Sequence, residues 1–191
     1  MTKRLSNYRG IRIKQTDDIL ISFPKLIDKN NFERVLEIGM FRGAFSLFIT
    51  DQMSSDVDYL GYEIDPKVVN PKAQHLNHKT VDVFTDLDFI SDYITQPGQT
   101  LVLCDGGNKL KEMEHLAPLI KSNDIIMCHD YVNDTKDNYK EYYKSTGLNP
   151  RGQSMWETSK TMLQPLIDAN NLVEYKEVDF GQSCWSCLIK A

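Results

Sequence analysis

Short apolar runs, each followed by a turn and a stretch of helical period, recur along this chain and constrain its fold more than any other feature. A strand repeats every two residues and an α-helix every 3.6. A chain that switches regularly between the two periods therefore builds parallel strands joined by helical crossovers. Residues 34–38 (RVLEI), 57–62 (VDYLGY), 80–83, 100–104 (TLVLC) and 124–128 (DIIMC) read as successive strands. Helices are predicted over 44–53, after Pro66, from Asp86 through Tyr93, over 109–120 and over 155–169. Pro66 suits a first helical position, where no N–H has to be satisfied, and Asp86 suits an N-cap. Residues 172–178 and 183–189 alternate on either side of Asp179-Phe180-Gly181, the pattern of a closing antiparallel hairpin. Parallel units ending in such a hairpin predict a Rossmann-like, seven-stranded, mostly parallel α/β sheet of the methyltransferase kind, with helices on both faces. A dehydrogenase sheet normally ends in parallel units.

The chain is long enough for one full core and short for two, so residues 1–191 are expected to form a single domain. Residues 1–30 form its N-terminal arm and helix. The polar, Tyr-rich stretch 131–153 has no clear period and is expected to be a lid-like insertion. A net charge of −5 argues against a nucleic-acid partner, because phosphate contacts need a basic face. No apolar run approaches the roughly 20 residues that span a bilayer, so no membrane partner is expected. Met1-Thr2-Lys3-Arg4-Leu5 begins basic but lacks the apolar core of a secretion signal. Cys104, Cys128, Cys184 and Cys187 sit in strand-like runs and read as reduced thiols of a cytoplasmic protein. Cys184 and Cys187 form a C-x-x-C, but no second pair of that spacing completes a zinc site.

The first strand ends in Glu37-Ile38-Gly39-Met40-Phe41-Arg42-Gly43. Glycines at such a turn let the backbone approach a ligand and start a helix without a Cβ clash. The second strand ends in Glu63, about 20 residues past the turn, where a carboxylate can accept both hydroxyls of a ribose. Asp82, after the third strand, can accept from an adenine amino group or simply cap a loop. Gly39, Met40, Phe41, Gly43, Ile64 and Val83 complete the expected cofactor contacts, together with Glu37, Glu63, Asp82 and Asp105. Phe41 stands where a fuller glycine turn would cradle a pyrophosphate, and Glu37 would repel one. A cationic sulfonium tolerates Glu37, which favours S-adenosylmethionine over NAD.

Asn7-Tyr8-Arg9-Gly10 followed by Gln15-Thr16-Asp17-Asp18, then Leu36-Glu37-Ile38-Gly39 with Arg42-Gly43, resembles the start of the cephalosporin hydroxylase and rhamnosyl O-methyltransferase family. Leu103-Cys104-Asp105, the Asn123-Asp124 turn and His129-Asp130 resemble its central block. Arg151-Gly152 with Trp156-Glu157 resembles its entry to the last helix. The resemblance runs over residues 7–165 and implies a fold similar to the macrocin and catechol O-methyltransferases, which bind S-adenosylmethionine and a divalent metal. Two positions depart from the pattern. Asn108 and Lys109 stand where the family often has a histidine, and His129 replaces the first acid of a pair.

Asp105 follows the fourth strand and His129-Asp130 follows the fifth, so a parallel sheet brings all three to one edge. Two carboxylates and an imidazole suit a divalent ion at Asp105, His129 and Asp130: Mg²⁺ through the carboxylates, Mn²⁺ or Fe²⁺ if the imidazole binds. The expected reaction is methyl transfer to a hydroxyl of a small molecule or sugar, with Asp105, Lys109 and His129 as the catalytic residues and Lys109 or His129 taking the proton. Lys109, four residues after Asp105, resembles the catechol O-methyltransferase base displaced by one position. Tyr131, Tyr139, Tyr142, Tyr143 and Trp156 offer an aromatic wall for a sugar or ring. A homodimer is among the expected partners. The rival expectation is a catalytically silent S-adenosylmethionine-binding or assembly protein that lost the metal centre, which the altered positions 108 and 129 motivate.

Overall fold

A computed structural model of the chain describes residues 4–134, 157–181 and 183–191. An N-terminal hairpin, β1 (Arg4–Tyr8) and β2 (Ile11–Thr16), turns at Arg9 and Gly10, both at positive φ, and leads into α1 (Ile19–Asp28). The main sheet is built from β3 (Phe32–Ile38), β4 (Asp58–Tyr62), β5 (His78–Lys79), β6 (Gln99–Cys104), β7 (Ile125–Cys128), β10 (Leu172–Glu174) and β11 (Ser186–Lys190). Its order is β10-β11-β7-β6-β3-β4-β5; β3 pairs in parallel with both β4 and β6, and β11 runs antiparallel between β10 and β7. The expected seven-stranded sheet with an antiparallel C-terminal pair is thus present. Strand order reverses at β3, and in such sheets the crevice for a ligand opens at the carboxyl ends beside that switch point.

The helices cover both faces. On one side α1 and α2 (Ala44–Gln52) bury Ile19, Phe23, Leu26, Phe45 and Phe48 with Trp185 of the C-terminal region. On the other, α3 (Leu87–Thr95), α4 (Lys109–Leu116) and α5 (Lys160–Ala169) bury Ile90, Ile94, Met113, Leu116 and Leu163. Covered on both faces, β6 and β7 carry near-continuous apolar runs, as central parallel strands do. A two-residue parallel bridge, β8 (Tyr131–Val132) with β9 (Thr158–Ser159), lies beside α5, whose N-cap Ser159 accepts from the Met162 N–H.

Several elements differ from the sequence reading. The third strand is His78–Lys79 rather than 80–83; Asp82 instead caps a 3-10 turn, Val83–Thr85, by accepting from the Phe84 N–H at 3.0 Å. Pro66 opens no helix. Asn70, preceding Pro71, is held extended at ψ 140, which breaks any helix there and leaves only the short turn Pro71–Ala73. Asp86 starts α3 without capping it, because its carboxylate accepts from the Tyr62 hydroxyl at 2.6 Å and from Lys79 Nζ at 2.7 Å. Cys104, Cys128 and Cys187 are buried, and Cys184 is partly exposed. Most of the lid-like segment 131–153, with Tyr139, Tyr142, Tyr143 and also Trp156, lies outside the described residues. Among the described residues, no helix is long and apolar enough to cross a membrane.

Candidate active site

β3 ends at Ile38, and the chain turns there under tight steric limits. The N–H groups of Gly39 and Met40 both donate to the Tyr62 carbonyl, at 2.9 and 3.1 Å, tying the turn to the end of β4. Gly39 has φ +86, and a Cβ on it would fall 2.4 Å from the Asp105 carbonyl oxygen. Only glycine therefore lets the β3 and β6 ends approach so closely. Phe41 is also at positive φ, and its N–H donates to Glu63 Oε2 at 2.7 Å. Glu63 Oε1 accepts from the Asp65 N–H at 3.1 Å. Each carboxylate oxygen can accept a second hydrogen bond, enough in number for the two hydroxyls of a ribose.

The cleft at this edge has a volume of about 1190 Å³. Gly39, Met40, Phe41, Glu63, Ile64, Asp82 and Val83 are among its lining residues, as are Asp105, Lys109, His129 and Asp130. Two expected cofactor contacts do not line it. Gly43 sits behind the turn as the left-handed N-cap of α2, where a Cβ would fall 2.4 Å from Ala73 Cβ. Glu37 is 1% exposed and accepts from the Tyr59 hydroxyl at 2.5 Å. Both faces of β3 are covered, so Glu37 points into the protein interior, and burial pushes its carboxyl up to about 7. The negative charge beside the turn comes from Glu63 and Asp105.

The cleft also holds a network of charged groups. His129 Nδ1 lies 2.7 Å from Asp105 Oδ1. Burial lowers the imidazole pKa, but the neighbouring Asp105 carboxylate outweighs it and holds the group above its ordinary value. Lys109 Nζ donates to the Gly106 carbonyl and to Glu157 Oε2, both at 2.9 Å, and lies 3.3 Å from Asp130 Oδ2. Burial disfavours its charge; Asp105, Asp130 and Glu157 together overcome this and hold it above the usual lysine range. These three carboxylates favour its ammonium form. Glu112 is buried beneath the glycine turn, accepting from the Gly106 and Asn108 N–H groups at 3.2 Å, and burial raises its carboxyl to about 7.

The sequence reading gave no role to two residues of this network. Trp185 Nε1 donates to Gln15 Oε1 at 2.9 Å, and Gln15 Nε2 donates to Asp105 Oδ2 at 3.1 Å. An indole can only donate, so it fixes which end of the Gln15 amide is oxygen and leaves the NH₂ for Asp105. The Trp185 ring also lies 4.8 Å from that of His129. Asp105 and His129 are thus held from behind by the N-terminal hairpin and the C-terminal region. A signal existed in the sequence: Gln15 shares the inward face of β2 with Ile11 and Ile13, an unusual place for an amide.

The ligand atoms of Asp105, His129 and Asp130 all lie within 4.8 Å of one another. Three carboxylates (Asp105, Asp130, Glu157) face one ammonium, so the cluster keeps a negative excess, and its oxygen-rich donor set fits a divalent cation.

No protein-family profile and no curated protein matches this sequence. Solved structures do match in three dimensions. A structure of CmcI with Mg and SAM superposes over 97% of this chain and 76% of its own, at 12% identity and a TM-score of 0.62. The O-methyltransferase from Bacillus cereus in complex with SAH covers 88% of this chain and 79% of its own, at 17% identity and TM-score 0.55. TomG, an O-methyltransferase from Streptomyces achromogenes in complex with SAM, covers 88% and 78%, at 11% identity and TM-score 0.51. The chain therefore has the Rossmann-like methyltransferase fold.

Proposed function

We propose that this chain is an S-adenosylmethionine-dependent methyltransferase that moves the methyl group to a hydroxyl oxygen of a small molecule. The observation that carries the reading is that one cleft joins the Gly39 turn and Glu63 to the Asp105–His129 pair. Solved O-methyltransferases holding S-adenosylmethionine or its demethylated product share this fold. Glu63 receives the ribose hydroxyls, and Asp82 and Val83 flank the adenine. The sulfonium end then faces Asp105, where negative charge favours a cation.

Transfer breaks the sulfur–methyl bond and forms an oxygen–methyl bond, and the hydroxyl proton must leave. His129 takes it. Its Nδ1 faces Asp105, which fixes the ring and leaves Nε2 as the accepting nitrogen. Asp105, held by Gln15, stabilises the imidazolium that results. Lys109 stays protonated and offsets the charge of Asp130 and Glu157. A divalent cation held by Asp105 and Asp130 would lower the hydroxyl pKa and fix its position, leaving His129 Nε2 free to take the proton. Mg²⁺ suits the two carboxylates best. The intact Asp105–His129 hydrogen bond favours an active enzyme over a silent binder.

Calorimetry tests the cofactor half of this reading. The chain should bind S-adenosylmethionine and its demethylated product, with little binding of NAD. Glu63→Ala should weaken binding by roughly 1.5–3 kcal/mol, the worth of hydrogen bonds to a charged acceptor. Unchanged affinity in that variant would remove Glu63 from the site.

A further inference from the structure

The amino-acid end of S-adenosylmethionine carries a carboxylate, and the roles assigned above name no group that receives it. Among the described residues, three lysine or arginine side chains line the cleft: Arg12, Lys14 and Lys109. Lys109 is 5% exposed and already shared among three carboxylates and the Gly106 carbonyl. Arg12 and Lys14 are different. They occupy the exposed face of β2, alternating with the buried Ile11, Ile13 and Gln15. No described acidic residue forms an ion pair with either.

Their position is informative. Lys14 Nζ lies 4.6 Å from the centroid of the Phe41 ring, in the middle of the cofactor turn, and the Arg42 guanidinium lies 5.5 Å from the same ring. The next residue along β2, Gln15, reaches Asp105. The strand thus runs between the carboxylate that faces the sulfonium and the ring at the turn. A ligand whose sulfur sits by Asp105 would extend its amino-acid end along this strand. In a chain of net charge −5, a group of cations packed on an aromatic ring rather than on acids makes a local positive field.

We infer that Lys14, with Arg12 beside it, binds the carboxylate of the amino-acid end of S-adenosylmethionine. The inference rests on the reading of this cleft as an S-adenosylmethionine site. It adds the group that distinguishes the whole cofactor from its nucleoside part: Glu63 reads the ribose, and β2 reads the amino acid. The same cations could meet a carboxylate of the acceptor, and the experiment separates the two sources.

Calorimetric titrations compare S-adenosylmethionine with its decarboxylated analogue, which keeps the sulfonium, the amine and the nucleoside. The native chain should bind the intact cofactor about 10- to 100-fold more tightly than the analogue, the range of charge-assisted hydrogen bonds. Lys14→Met combined with Arg12→Gln should abolish that preference by weakening only the intact cofactor, and Lys14→Arg should largely retain it. Both positions are exposed, so the variants should fold as the native chain does, which a thermal melt checks. If the native chain binds both ligands tightly and equally, the inference fails while the cofactor reading stands, and the cations are left for an acceptor carboxylate. Equal weakening of both ligands in the double variant would also overturn it, because the loss would then trace to the Phe41 turn. If the native chain binds neither ligand, the cofactor reading itself falls.

Discussion

Asp105→Asn should lower methyl transfer by roughly 10²–10⁴-fold, the range expected when general-base catalysis is lost, while S-adenosylmethionine affinity should fall far less, by the loss of one charge beside the sulfonium. The asymmetry follows from where Asp105 sits. Its Oδ1 faces His129 Nδ1 at 2.7 Å and its Oδ2 accepts from Gln15 at 3.1 Å. An asparagine keeps the shape but turns one oxygen into an NH₂ donor. It then either opposes the Gln15 amide or forces His129 into the tautomer whose proton is on Nε2, where it cannot accept the hydroxyl proton. His129→Ala should show a comparable loss, and the double variant should lose little more than either single change, because the two act as one unit. Chelation should lower transfer in the native chain and leave cofactor binding intact, since Glu63 and the Gly39 turn hold the nucleoside without the carboxylate cluster. Steady-state rates with labelled cofactor across a panel of sugars and catechols, with calorimetry alongside, check both halves. Equal loss of binding and rate in Asp105→Asn would place the residue in the cofactor site alone.

Gly39→Ala should be the most damaging small substitution in the cleft. The residue has φ +86, and an added Cβ would sit 2.4 Å from the Asp105 carbonyl oxygen and 2.6 Å from Gly106 Cα. Both obstacles are backbone, so neither can swing aside. Left-handed strain and overpacking each contribute on the order of 1–3 kcal/mol. A loss of about 3 kcal/mol in unfolding free energy is expected, with cofactor affinity falling alongside because the β3 and β6 ends must part. Gly107→Ala is the control: nothing lies within 4 Å of its added Cβ, so its unfolding midpoint should barely move. Urea denaturation of the two variants against the native chain decides, and equal midpoints for both would contradict the close approach at Gly39.

The sheet was legible in the sequence where burial on both faces leaves an unbroken apolar run, as in TLVLC and IIMC. It was less legible at the edge. His78–Lys79 is two polar residues held as a strand only by pairing with Gly61 and Tyr62, and no local pattern announces such a partner. The glycine turn and Glu63 were readable because both lie at strand ends whose spacing is set by one crossover. The burial of Glu37 was not legible: its carboxylate follows the strand interior and accepts from Tyr59, a partner 22 residues away. The surroundings of Lys109 were not legible, because its partners Asp130 and Glu157, the latter 48 residues away, lie outside any local window. Gln15 and Trp185, 170 residues apart, meet only once the N-terminal hairpin packs against the C-terminal region.

The central claim is that one cleft holds both the nucleoside and the reacting pair. A crystal structure of the chain grown with S-adenosylhomocysteine tests it most directly. The account predicts the ribose hydroxyls on the Glu63 carboxylate, and the sulfur turned towards Asp105 and His129 with room for an acceptor oxygen between them. Adenosyl density elsewhere on the surface, or a sulfur facing away from His129 with Glu63 left untouched, would contradict it.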